Sequence, residues 1–279
     1  MNIKLKKILA IGMLALMTTG LAACGKKDAA TTQAAQDKST KLTKVDSIKK
    51  AGKLVIGTSA DYPPYEFHKS INGSDTIVGF DVQIAGEIAK DLGVQLVIKD
   101  MDFKGLLNAL DAGTIDMVLA GMTPTDERKQ SVDFSNIYYT AAQTLVIRAE
   151  DKDKVKSIED LSGKGLGVQK GSIQEDIAKN QLPKSEAKAL GKISDIVLAL
   201  KTKKVDAAII ESPVATSYVN ANKDLLISDI KLKTEDAGSA VAVKKGEKEF
   251  VEAINKTLDR LNSSKAVDKF VIDANNLVE

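Results

Sequence analysis

The sequence predicts an α/β protein of two similarly built lobes, each a mainly parallel sheet flanked by helices. Three observations carry this. Apolar strand patterns alternate with helix-period patterns along most of the chain. One helix-turn-strand pattern returns without a gap ninety residues later. The 279 residues, 43% of them hydrophobic, are enough for two ordinary α/β domains with substantial cores.

Composition removes several function classes. Forty basic residues stand against 38 acidic ones, and without Lys4, Lys6 and Lys7 of the expected leader the balance falls to 37 against 38. That argues against a nucleic-acid binder that works by neutralising phosphates. One cysteine and one histidine exclude an internal disulfide, a Cys/His zinc site and Cys-His or Ser-His catalysis. No metal or cofactor is expected. Gly163-Lys164-Gly165 lacks the spacing and the following Ser or Thr of a phosphate-binding loop.

The elements follow in order. Lys4, Lys6 and Lys7, an apolar run from Ile8 to Leu16 and small residues before a cut form a secretory signal over 1–23, too short to span a bilayer comfortably. Leu21-Ala22-Ala23-Cys24 then resembles the bacterial lipobox, in which the cysteine is lipidated; several acyl chains would anchor the protein stably. Residues 24–45 are poor in large apolar side chains and are expected to be a flexible tether.

Leu54 to Gly57 heads the first half as a strand. Phe80 to Leu92 has the apolar spacing of a helix stopped by Gly93, and Val94 to Ile98 runs on as a strand of a covered sheet. Leu106 to Leu110, a turn at Gly113 and Ile115 to Ala120 read as helix end and buried strand. Ile196 to Leu200 and Val205 to Ile210 repeat them, including the Asp that opens each strand, while Leu166-Gly167-Val168 heads the second half. Ser172 and Glu175 predict a capping box, and Ser239 to Val243 a late strand before helices at 247–261 and 264–275. His68 is expected in a loop.

Two such lobes meet in a cleft, where ligands gather at the carboxyl ends of strands. Three strand ends stand out. Thr58 to Phe67 is a proline-stiffened loop rich in aromatics; Tyr65 and Phe67 are as well suited to the core as to a binding wall. Ala120 to Arg128 combines Gly121, a helix start capped by Thr123 or Thr125, and an arginine fork that matches a carboxylate. Ile209-Ile210-Glu211 ends in an acid that is either a helix cap or an acceptor for a cation. Together they outline a zwitterion.

With these features the sequence resembles the polar amino-acid-binding lipoproteins of bacterial ABC importers, solute-binding protein family 3. The resemblance runs from about Lys53 to the C-terminus and is carried by Gly57 through Phe67, Gly79-Phe80-Asp81-Val82, Ala120 through Arg128 with Asp133-Phe134-Ser135, and Asp160 through Ser172. It implies a periplasmic-binding-protein-like type II fold, with lobe 1 at 46–140 and 237–279, lobe 2 at 141–236, and crossings near 138–143 and 234–238.

It further implies that Tyr62 and Phe103 sandwich the ligand side chain. Ala120, Gly121, Thr123 and Arg128, helped by Gln169 and Ser172, would take the α-carboxylate, and Glu211 the α-ammonium. Ser59, where several relatives carry an Asp, and Asp61 complete the candidate set. The implied function is capture of a polar or basic L-amino acid and delivery to an ABC permease by a monomer lipid-anchored on the extracytoplasmic face of the cell membrane. Asp61, Glu66 and Glu211 around the cleft would disfavour an acidic ligand. The alternatives are an amino-acid-sensing receptor and a dehydratase-like enzyme using Asp61 and Glu211.

Overall fold

The computed structural model describes residues 42–233 and 238–278. The expected signal segment, Cys24, the expected tether up to residue 41 and residues 234–237 of the second expected crossing lie outside the described residues. Helix α1 (Lys44–Ala51) opens on a reciprocal capping box between Thr43 and Asp46. It therefore includes Lys44 and Val45, which the sequence reading places in the tether, and Lys44 Nζ lies 2.7 Å from Asp116 Oδ1.

Strand β1 (Lys53–Thr58) is followed by a small antiparallel sheet of β2 (Asp61–Tyr62), β3 (Glu66–Ile71) and β4 (Ser74–Val78). His68 belongs to β3 rather than a loop, with Nδ1 2.8 Å from Asp75. Helix α2 (Phe80–Leu92) stops at Gly93, whose φ of 73° releases the chain. Then come β5 (Gln95–Asp100), α3 (Leu106–Asp111), β6 (Met117–Val118), α4 (Asp126–Ser131), β7 (Val132–Thr140) and β8 (Gln143–Arg148). The second half continues with β9 (Gly165–Gln169), α5 (Ile173–Gln181), β10 (Glu186–Leu190), α6 (Ile193–Lys201), β11 (Ala207–Glu211), α7 (Ser212–Ala221) and β12 (Leu225–Ile227). Finally β13 (Gly238–Lys244), α8 (Lys248–Ser263) and α9 (Ala266–Val278) follow.

The strands form two five-stranded sheets, β5-β1-β6-β13-β7 and β10-β9-β11-β8-β12. In each, the first three strands are parallel and the last two antiparallel to their inner neighbours. The chain passes from the first sheet to the second between β7 and β8 and returns between β12 and β13. Each sheet thus receives as its fourth strand the one laid down just after a crossing. Strand β5 is an edge, not a covered strand, and Gln95, Val97 and Lys99 face solvent.

The repeat has a packing reason. Gly57 of β1 lies under Leu106 and Ile115, where a Cβ would come within 2.4 Å of Ile115. Gly167 of β9 lies under Ile196 and Val205, where a Cβ would come within 2.7 Å of Ile196. The two aspartates match as well. Asp116 accepts from Val55 N–H at 2.8 Å, and Asp206 from Gly165 N–H at 3.0 Å, each returning a backbone bond to the same residue. Each thus sews the helix-bearing strand to the strand that heads its lobe.

Candidate functional site

A narrow cleft lies where the carboxyl ends of the central strands of both sheets face each other. Tyr62, Phe103, Ala120, Gly121, Thr123 and Arg128 line it from the first lobe, and Gln143, Gln169, Ser172, Ile173, Gln174 and Glu211 from the second. The structure thus brings together nine of the residues singled out by the sequence. Ser59 and Asp61 are not among the lining residues.

Arg128 is held by its own helix. Thr125 caps α4 by accepting from Arg128 N–H at 3.2 Å, which turns the side chain toward the cleft. The guanidinium donates from Nη1 to Thr123 O at 2.8 Å and from Nη2 to Gly171 O at 2.9 Å, and stands 5.4 Å above the centroid of the Phe103 ring. Desolvation pulls its pKa down to about 10, so it stays charged at neutral pH. Among the described residues no carboxylate pairs with it, whereas Arg148 pairs with Asp151 and Asp206, and Arg260 with Glu87 and Asp91.

Glu211 sits opposite, 3% exposed, at the end of β11. It occupies the N-cap position of α7 but makes no cap bond. Its carboxylate instead accepts from Tyr62 OH at 3.0 Å and Tyr65 OH at 2.9 Å, both from the first lobe. Burial pushes its pKa up to about 8, against the two tyrosine bonds. Of the two alternatives left open by the sequence the helix cap is thus not formed, and the carboxyl lines the cleft. Tyr65, fully buried against Phe80 at 4.3 Å between ring centroids, is a core residue that lends its hydroxyl to the site. Phe67 is buried as well.

Gly121 has a φ of 56°, and a Cβ there would lie 3.1 Å from the Tyr62 ring. The cleft wall therefore needs glycine at this point. In the other wall Ser172 stands at the N-cap of α5, yet the expected capping box does not form. Ser172 Oγ donates to Gln169 O at 2.6 Å, and the Glu175 carboxylate takes the N–H of Gly171 instead. Gly171, with a φ of 79°, presents its N–H to Glu175 and its carbonyl to Arg128.

Asp61 departs from the cleft because it caps α6 from across the lobes. Its Oδ2 accepts from Ser194 N–H at 2.9 Å and Ser194 Oγ at 3.2 Å, and Tyr218 OH donates to its carbonyl at 2.9 Å. Burial raises its pKa, opposed by the Ser194 bonds. Ser59 is buried beneath the same loop, its carbonyl held by Asp61 N–H at 2.8 Å. Glu66, expected near the cleft, is fully buried behind it.

Gln143, Ile173 and Gln174 are lining residues that sequence reasoning missed. Gln174 Nε2 donates to Gln143 Oε1 at 2.8 Å, leaving Gln174 Oε1 and Gln169 Nε2 buried without partners among the described residues. Gln174 was within reach, since it falls in the first turn after Ser172. Gln143 was not, because it reaches the site by pairing with Glu211 across antiparallel β8 and β11. The cleft thus offers a cation on one side, a carboxyl on the other, and one unpaired amide donor and one unpaired amide acceptor between.

The family model for bacterial extracellular solute-binding proteins, family 3, matches residues 54–272. The arginine-binding extracellular protein ArtP of Bacillus subtilis (strain 168) is 40% identical over 270 residues, covering 95% of this chain and 96% of ArtP. An L-arginine-bound structure of the amino acid ABC transporter substrate-binding protein AbpA from Streptococcus pneumoniae superposes with a TM-score of 0.81 at 40% identity, over 84% of this chain and 98% of AbpA. The ancestral amino acid-binding protein AncCDT-1, a precursor of cyclohexadienyl dehydratase, superposes with a TM-score of 0.76 at 33% identity, over 83% and 99% of the two chains. With a match this long and relatives this similar, the chain belongs to the bacterial extracellular solute-binding proteins of family 3.

Proposed function

We propose that this protein captures a basic L-amino acid, L-arginine foremost, between its lobes and delivers it to the permease of an ABC importer. The observation that carries the reading is the opposition of Arg128 and Glu211 across one cleft, neither paired, among the described residues, with a charged side chain of opposite sign. A zwitterion supplies both missing partners at once: its α-carboxylate fits the Arg128 fork and its α-ammonium the Glu211 carboxyl. Tyr62 and Phe103 flank the space for the side chain, and the unpaired Gln174 Oε1 suits a guanidinium donor. ArtP and AbpA, both named for or bound to arginine, support the choice. Calorimetric titration with the twenty amino acids tests it; tightest binding of glutamate or aspartate would overturn it.

The lobes in this reading are 46–140 with 237–279, and 141–236, so that contacts from both sides favour the closed state. The protein acts as a monomer, tethered through lipidated Cys24 on the extracytoplasmic face of the membrane. It binds without turnover: Asp61, one of the two carboxyls that could serve as acid or base, is engaged by α6. Recovery of the bound amino acid chemically unchanged after long incubation is the expected outcome, and a dehydrated product would favour the enzyme that AncCDT-1 preceded.

A further inference from the structure

Behind the cleft wall two carboxyl groups meet with no cation, among the described residues, between them. Glu66 at the head of β3 and Asp81 in the first turn of α2 are both fully buried. Gly79 makes the meeting possible. A Cβ there would stand 2.0 Å from the Tyr65 carbonyl oxygen, and its φ of 132° suits glycine alone. The close approach lets Phe80 N–H donate to Pro64 O at 3.1 Å and Asp81 N–H to Tyr65 O at 3.0 Å, laying the start of α2 against residue 66.

One side of Asp81 is satisfied. Its Oδ2 accepts from Gly121 N–H at 3.0 Å and from Tyr138 OH at 2.8 Å. Oδ1 and both Glu66 oxygens are buried without a formed hydrogen bond among the described residues, and the Thr58 hydroxyl that faces Glu66 is likewise unpartnered. Among the described residues the groups facing the pair are Thr58 from β1, Asp61 and Tyr62 from β2, Tyr65 just before β3, Tyr138 from β7 and Glu211 from β11, and none is basic. Two adjacent anions without counter-charge are not sustained in such a place. Burial, with Asp81 alongside, pushes Glu66 well above the usual carboxylate range.

We propose that Glu66 and Asp81 hold one proton between them, with Glu66 donating it to Asp81 Oδ1, and that this pair is the positioning device that keeps Gly121 in the cleft wall. Burial raises the pKa of Asp81 itself to about 7, so above neutral pH it is the anion of the pair, with three donors around it, and Gly121 N–H is anchored by a charged acceptor. The folded protein keeps this proton where an unfolded chain has released it. Stability contributed by the pair therefore falls as pH rises above the ordinary glutamate range toward the point where the proton leaves. The effect on ligand affinity rests on the proposed function; the shared proton does not.

Infrared difference spectra of the ligand-free proteins near pH 7, wild type minus Glu66→Gln, should show a carboxylic-acid carbonyl band beyond the one that Glu211 gives in both. From about pH 6 to 9 the wild type should lose melting temperature relative to Glu66→Gln, whose amide donates the same bond with no proton to release. Because Glu211 also faces Asp81, repeating both comparisons in a Glu211→Gln background isolates the pair. With L-arginine as probe, Glu66→Leu should bind about tenfold more weakly because Asp81 Oδ1 loses its donor, and Glu66→Gln should restore binding to within about twofold. An identical band in Glu66→Gln, or parallel melting profiles, overturns the shared proton. Unchanged affinity in Glu66→Leu overturns the positioning role. Were the wild type not to bind L-arginine, the proposed function would fail while the band and the melting profiles still decided the shared proton.

Discussion

Arg128 of α4 donates to the carbonyl of Gly171, 2.9 Å away on the turn before α5, and so ties one lobe to the other at the mouth of the cleft. In the proposed function the side chain that meets the ligand carboxylate is thus also one that joins the two lobes. Removing it should therefore weaken both ligand binding and closure.

Arg128→Ala should cost about 3 kcal/mol of binding free energy, roughly a hundredfold in Kd, because a charge-assisted two-pronged bond is lost in a desolvated site. Isothermal calorimetry with L-arginine checks this. Affinity within a factor of about two of wild type would remove Arg128 from the site.

Glu211 should make binding depend on pH. Its pKa is raised to about 8 by burial, and an incoming ammonium favours the ionised form. Below that pH the free protein must give up a proton to bind, so affinity should rise with pH by up to about tenfold per unit and level off near the raised pKa. Titrations at neutral pH in buffers of different ionisation enthalpy should detect the released proton. Glu211→Gln should bind more weakly with a flatter profile; an unaltered profile would point to another group.

Asp61→Ala removes a cap that one lobe places on α6 of the other. Loss of a helix cap is typically worth about 1 kcal/mol, so L-arginine should bind roughly fivefold more weakly. Small-angle scattering should show the wild type contracting when L-arginine is added, and the ligand-free variant at least as expanded as the ligand-free wild type. No contraction of the wild type at saturation would argue for a rigid cleft.

Cys24→Ser should free the protein from the membrane fraction or block its maturation, since several acyl chains anchor a protein stably and the variant has no thiol to carry them. Fractionation followed by immunoblotting reads this directly. Membrane association that survives the substitution would exclude Cys24 as the anchor.

Much of the architecture was legible because it is written in local patterns. The apolar face of 80–92 and the stop at Gly93 define α2, and the repeated Asp116 and Asp206 reveal two equivalent lobes, since each serves the backbone of its neighbouring strand in the same way. Arg128 and Glu211 were legible as chemistry: a fork after a capped turn, an acid after a buried strand. Tertiary structure alone decided their partners. That Glu211 takes two tyrosine hydroxyls, that Asp61 turns away to α6 and that Gln143 enters the cleft all depend on pairings between segments far apart in the chain. Periodicity reports which face of an element is buried, because that is set within a few residues. It carries no record of which distant element lies against that face, and so the walls of the cleft were foreseeable while the hydrogen bonds that aim its side chains were not.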